Sequence, residues 1–318
     1  MYKIFGVIFI FFILNELHAQ VVEKEKDLRK ISIDSSLLGW KTGGLFNLTF
    51  SQLSLTHWAS GGENSIAGNA LLNVYAKYNK QRFSFENNLD MGYGLLKQAS
   101  AKSKKADDKI DFSSKLGYLI HNNSFWAALI NFKTQFMPGY NYPNDSVKIS
   151  NFMAPAYLLF AIGYDFKKKD IFSCFIAPIT GKITFVNDQN LADKGAFGVE
   201  PAKFDANGNI TQHGKHNRYE FGGYIKTTFQ TKITNNINLT SKLELFSNYF
   251  KNPQNIDVYW ETLTGMKISK YLAVSINTVL IYDDDIMITI KDKSGNTIGQ
   301  GQRIQFKEVV GIGFSYKF

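Results

Sequence analysis

The sequence predicts an all-β chain folded as a transmembrane up-and-down antiparallel β-barrel of about 12 strands, and three observations carry that prediction. The first is the C-terminal run, where Val310, Ile312, Phe314, Tyr316 and Phe318 alternate with Gly311, Gly313, Ser315 and Lys317. A period of two gives a strand with one apolar and one polar face. The second is that such segments recur along the chain with connections that are alternately short and long. The third is the chemistry of the polar face, which carries Glu86, Asp90, Lys226, Lys242, Glu244, Glu261 and Lys307. That many charges cannot fill the dry core of a soluble sandwich or lipocalin-like barrel. They can line a wet lumen while the opposite face meets hydrocarbon.

Residues 1–19 read as a signal peptide: Lys3, then an apolar stretch from Ile4 to Leu14, then Ala19 before the cleavage point. The stretch is shorter than the roughly 20 residues a transmembrane helix needs. Residues 20–39 are charged and form an expected periplasmic tail, and residues 40–318 form the barrel. Strands are expected over 43–57, 64–79, 82–97, 109–121, 124–138, 153–166, 170–184, 218–232, 236–249, 256–268, 271–282 and 303–318. In the third, Phe83, Phe85, Leu89, Met91, Tyr93 and Leu95 face one way, and Ser84, Glu86, Asn88, Asp90, Gly92 and Gly94 the other. In the ninth, Ile237, Leu239, Leu243 and Leu245 oppose Asn238, Thr240, Lys242 and Glu244.

Short turns fall at 79–81, 121–123, 167–169, 234–236 and 269–270, and long loops at 58–63, 99–108, 139–151, 187–217, 250–255 and 283–302. Tight periplasmic turns alternating with long outer loops organise outer-membrane barrels, and an even strand count puts both termini in the periplasm. The C-terminal Phe318 is the expected signal for the barrel-insertion machinery. Trp40, Phe46, Trp58, Tyr75, Tyr78, Phe83, Trp126, Tyr164, Phe166, Tyr219, Trp260 and Tyr282 fall mostly near strand ends, where interfacial girdles take aromatic rings.

Composition narrows function further. The net charge is +9. For an exported chain this suits anionic headgroups of outer-membrane lipid, not nucleic acid. The one cysteine, Cys174, allows neither an internal disulfide nor a thiolate metal cluster.

Two segments stand out: Leu55-Thr56-His57-Trp58-Ala59-Ser60-Gly61-Gly62-Glu63-Asn64-Ser65 and Asn87-Asn88-Leu89-Asp90-Met91-Gly92-Tyr93-Gly94. Through them the chain from Trp40 to Phe318 resembles the domain-of-unknown-function 3078 family of Bacteroidetes outer-membrane proteins. The resemblance implies a barrel in the cell outer membrane and no catalytic residue. Gly61-Gly62 marks a loop tip with free backbone angles. If that loop folds inward, Trp58, Glu63 and Asn64 join Glu86 and Asp90 in a polar constriction, and rings of charge of that kind set ion preference.

No catalytic site, metal site or cofactor is expected. His57 and Ser60 lie three apart, on opposite faces of any strand, and His121 and Ser124 flank a periplasmic turn, so no Ser-His pair serves an outer-surface lipase. His213 and His216 lie in a long loop beside Lys215 and Arg218, which disfavours a cation. Asp283-Asp284-Asp285 lacks the alternating ligands of an oxygen-coordinating loop. The functional expectation is a narrow channel or small-solute pore. The alternative is a non-conducting structural or interaction barrel whose loops or periplasmic tail bind a partner.

Overall fold

The computed structural model describes residues 39–55, 63–99, 102–142, 144–168, 171–269, 272–291 and 297–317. Twelve antiparallel strands close into one barrel. They are β1 (Gly39–Leu53), β2 (Ser65–Lys80), β3 (Phe83–Gln98), β4 (Lys104–His121), β5 (Ser124–Thr134) and β6 (Ala156–Lys168). The other half comprises β7 (Phe172–Phe185), β8 (Asn217–Lys232), β9 (Ile237–Asn248), β10 (Ile256–Lys267), β11 (Leu272–Tyr282) and β12 (Gln305–Lys317). Each strand pairs with its chain neighbours, and β12 pairs with β1 to close the wall. This is the expected up-and-down order, with every expected strand present.

The alternation fixes which way the side chains point. Trp126, Ile130, Phe160, Ile162, Ile176, Phe229, Val310, Ile312 and Phe314 are exposed on the outer wall. Residues between them in sequence face the lumen. Tight turns at one end use a left-handed residue, Gln81 (φ 51°) between β2 and β3 and Asn122 (φ 44°) between β4 and β5. Just above this short-turn end, aromatic pairs ring the outside: Trp40 with Tyr78, Phe83 with Tyr118, and Trp126 with Tyr164. Tyr75 departs from the expected girdle. It points inward, is 4% exposed and packs with Leu45.

Boundaries shift where side chains redirect the backbone. β4 begins at Lys104, so the loop expected over 99–108 is short. β5 stops at Thr134 instead of 138 because Asp108 accepts the N–H groups of Phe136 and Met137, drawing them out of the sheet. In β7 the register slips around Pro178. Proline has no N–H for the ladder and is tolerated at a bulge. The slip changes the inward set from Phe175 and Ala177 to Thr180, Lys182 and Thr184.

The lumen is less uniformly polar than the sequence predicts. The inner faces of β5–β9 contribute Ala127, Leu129, Leu159, Ala161, Phe175, Ala177, Tyr224 and Phe246 to one buried apolar cluster. The charges lie over this cluster, not in every inward position.

Most of the loop expected as a solvated connection over 187–217 is a folded cap. It holds α1 (Gln189–Asp193), a 3₁₀ turn (Ala196–Gly198) and a small hairpin pairing Lys203–Phe204 with Ile210–Gln212. Val186, Leu191, Ala192 and Val199 pack with Ala154 into a separate apolar cluster. Asp188 caps α1 by accepting the Leu191 N–H, as N-cap aspartates do.

Candidate functional site

Among the described residues, ionic contacts cross the lumen at several heights, one of them Lys307 of β12 to Asp107 of β4 at 2.7 Å. At mid-height, Lys133 of β5 lies 2.7 Å from Glu244 of β9, Lys242 of β9 lies 3.6 Å from Asp111 of β4, and Lys109 of β4 lies 3.5 Å from Glu261 of β10. These pairs join facing walls, since β4 and β10 stand opposite in the strand order. The Tyr259 ring sits beneath the Lys133 ammonium at 4.6 Å. Towards the short-turn end, Lys167 lies 2.6 Å from Glu86, and Lys115 lies 2.6 Å from Asp165. Towards the long-loop end, Lys182 reaches Asp257 at 2.8 Å and Glu220 at 3.5 Å. Lumen charges thus neutralise one another, some across the void and some between adjacent strands, as Lys182 does with its ladder neighbour Glu220, and the contacts across the void cannot be read from a period of two.

The long-loop end is covered. Phe197 of the cap lines the lumen cavity. Beside it, Arg218 bonds Glu220 at 2.7 Å and also Asp285, which follows β11. Lys251, from the β9–β10 loop, reaches Asp285 at 2.9 Å. His213 meets Asp193 at 3.1 Å, while His216 contacts the Val186 carbonyl and Gln189. Both imidazoles therefore tie the cap together. Asp283, Asp284 and Asp257 bring carboxylate oxygens within 4.8 Å of one another. Asp284 also accepts from Asn255, and the Asp283 carboxylate accepts the Asp285 N–H, a turn at the strand exit.

The network stands inside a cavity of about 890 Å³. It is the lumen itself: its wall comes from all twelve strands and includes the network residues Lys133, Glu244, Lys242, Asp111, Lys109 and Glu261, while on the β1–β12 side it is lined by Leu45, Asn47, Asn69, Leu71, Val279 and Val309.

The five residues expected to form a constriction are not brought together. Trp58 lies outside the described residues. Glu63 and Asn64 are exposed at the long-loop end, where Asn64 accepts the Leu55 N–H at 2.6 Å. Glu86 is near the other end of β3, about 40 Å away along the strand at ~3.3 Å per residue. Glu86 and Asp90 do face the lumen, in different settings. Glu86 sits between Lys167 and Lys115, whereas Asp90 is held by the amides of Asn73 and Asn88. Sequence reasoning missed Lys133, Asp111 and Asp165, whose partners lie on other strands and are set by the closure of the barrel. As for hydrolytic pairs, His57 and Ser60 lie outside the described residues, while Ser124 accepts the Tyr164 hydroxyl at 2.5 Å and His121 contacts Asn122.

Residues 50–140 match a family described as a protein of unknown function, DUF3078. The match contains both segments that carry the sequence resemblance. No curated protein matches the chain. Among solved structures the chain is similar to the COG4313 outer membrane channel from Pseudomonas putida F1, at 10% identity over 89% of this chain and 96% of that one, with a TM-score of 0.39. It is also similar to the translocator domain of the autotransporter NalP from Neisseria meningitidis, at 7% identity over 94% and 99%, with a TM-score of 0.36. The toluene transporter TodX from Pseudomonas putida gives 10% identity over 92% and 91%, with a TM-score of 0.30.

Proposed function

We propose that the protein is an integral outer-membrane barrel acting as a narrow, gated solute channel and not as an open pore. The apolar outer wall supports the membrane reading. Trp126, Ile162, Ile176, Ile179, Val310 and Ile312 each expose 47–60% of their surface on it. Soluble monomers rarely expose apolar patches larger than a few hundred Å². In a bilayer the same wall is satisfied, and every ladder hydrogen bond stays within the sheet. The aromatic rows near the short turns sit where an interfacial girdle belongs.

The observation that carries the gated reading is the Lys133–Glu244 pair at 2.7 Å, which spans the lumen. Together with Lys242–Asp111 and Lys109–Glu261 it places charged side chains across the lumen cavity and narrows it. Ions moving through must pass or displace paired charges, which slows conduction. Under this reading residues 1–19 direct export, Phe318 engages the insertion machinery, and both termini lie in the periplasm.

Planar-bilayer recording tests the reading. The wild-type chain should give small, infrequent current steps, and the double substitution Lys133→Met with Glu244→Gln should enlarge them. Large constant steps from wild type would sink the gate. Silence from both proteins would replace the channel by the second reading, a non-conducting barrel whose loops or tail bind a partner. A mature chain that stays monodisperse in buffer without detergent would remove the membrane reading altogether.

A further inference from the structure

The barrel wall is incomplete at one place. β1 and β12 stay in register only from Leu45↔Lys317 to Phe50↔Ile312. β1 continues paired with β2 as far as Leu53↔Ser65, and β12 continues paired with β11 as far as Ile281↔Gln305. Among the described residues, Ser51–Leu53 and Gln305–Gly311 therefore face one another without a ladder, leaving an unzipped wedge in the long-loop half of the seam. Unsatisfied backbone edges are costly in hydrocarbon, so a wedge there needs a function.

The lumen cavity lies directly behind this wedge. The cavity, about 890 Å³ for the whole lumen, reaches the seam at Asn47, Thr49, Lys307 and Val309, and lumen volume of this order holds a small molecule, for which sites run roughly 300–1,000 Å³. Near the seam its wall is amphipathic. Leu45 and Val279 are 7% and 8% exposed, and Leu71 and Val309 also line it. Between them stand Asn47 and Asn69, whose side-chain oxygens take no hydrogen bond from the protein. At the long-loop end the cavity meets Phe197 of the cap and the Arg218–Asp285 contact stands beside it, while the Lys133–Glu244 network occupies the side of the lumen away from the seam.

The geometry points to a binding site for an uncharged amphipathic small molecule that enters from the outer leaflet through the β1–β12 wedge. Its apolar body would lie against Leu45, Leu71, Val279 and Val309, and its hydroxyl or N–H donors would meet Asn47 and Asn69. A charged solute would compete with carboxylates and ammonium groups already paired, whereas an uncharged donor finds open acceptors. The inference rests on the membrane reading above and names the solute class of that lumen.

The test uses the full mature chain in lipid nanodiscs with a doxyl-labelled medium-chain alcohol as probe, read by electron paramagnetic resonance. Wild type should immobilise a fraction of the probe that empty nanodiscs do not. Leu71→Trp, which fills the cavity, should abolish that fraction. In a Cys174→Ser background, the pair Gln52→Cys and Val310→Cys, opposite one another if the β1–β12 register is extended and outside the proposed binding wall, should lose the fraction when oxidised before the probe is added. Reduction should restore it, which also shows that the variant is folded. Absence of immobilised probe with wild type, an unchanged signal with Leu71→Trp, or no effect of oxidation would each overturn the proposal. A chain that fails to enter nanodiscs would instead overturn the membrane reading, which separates the two failures.

Discussion

The Lys133 ammonium lies 2.7 Å from the Glu244 carboxylate, although their strands, β5 and β9, are separated in the wall by β6, β7 and β8. The contact is a chord across the lumen, and it holds two faces of the barrel at a fixed distance. Removing Lys133 takes the shortest ionic hydrogen bond from the buried Glu244 carboxylate, which keeps Lys242 at 3.0 Å and Lys226 at 3.5 Å. Lys133→Met should lower stability by about 2 kcal/mol, the middle of the range for a charged hydrogen bond. Glu244→Gln in the same chain should add to that loss, because it also removes the carboxylate shared by Lys242 and Lys226. Urea unfolding in detergent micelles, followed by tryptophan fluorescence, measures both.

The two carboxylates singled out on β3 should respond differently. Glu86 is clamped by Lys167, which is itself buried, and by Lys115. Glu86→Gln should therefore destabilise the barrel by about 1–3 kcal/mol. Asp90 accepts hydrogen bonds from Asn73 and Asn88 and faces the cavity. Asp90→Asn should leave stability nearly unchanged and shift the reversal potential of any residual current towards anions. Equal effects of the two substitutions on stability would contradict this division of roles.

Gly163 is required by close approach. A Cβ there would overlap the backbone carbonyl of Ile176 on the neighbouring strand, where the Pro178 bulge has shifted the register. Gly163→Ala should cost about 1–3 kcal/mol, as overpacking does. Gly181, in the same sheet, has nothing within 4 Å of the corresponding position. Gly181→Ala should be neutral or slightly stabilising in the same micelle unfolding assay, because alanine loses less backbone entropy on folding.

The cap should loosen in acid while the barrel persists. The Gly214 N–H donated to Asp193, aided by Gln189 and His213, holds the Asp193 carboxyl below its usual range. Lys215 lowers Glu200 and the Asn209 N–H lowers Asp205 in the same way. A carboxyl depressed by folding stabilises the folded form above its unfolded pKa, and that stability disappears as pH falls through the depressed value. Amide exchange at Ala202, Asn209 and Gly214 should accelerate only below the ordinary carboxylate values of about 4, with amides of β4–β9 still protected. Loosening already at neutral pH would show that these contacts do not hold the cap.

The sequence by itself determined the wall. A period of two is a local property, so the apolar faces, the strand succession and the short-long rhythm of connections could be read directly from residues such as those at 83–95 and 310–316. It also determined that Glu86 and Asp90 face inward. The tertiary structure alone decided what the inward residues do to one another. Lys133 and Glu244 are 111 positions apart, and their contact depends on barrel diameter and stagger, which no local pattern encodes. The same holds for the cap, whose polar loop composition hides Val186, Leu191 and Val199 packing on Ala154. Trp58 and Glu86 looked related because each is unusual in sequence, yet strand length alone keeps Glu63 and Glu86 at opposite ends. The apolar inner face of β5–β7 was hidden for a further reason: alternating small and large apolar residues look alike whether they meet lipid or one another.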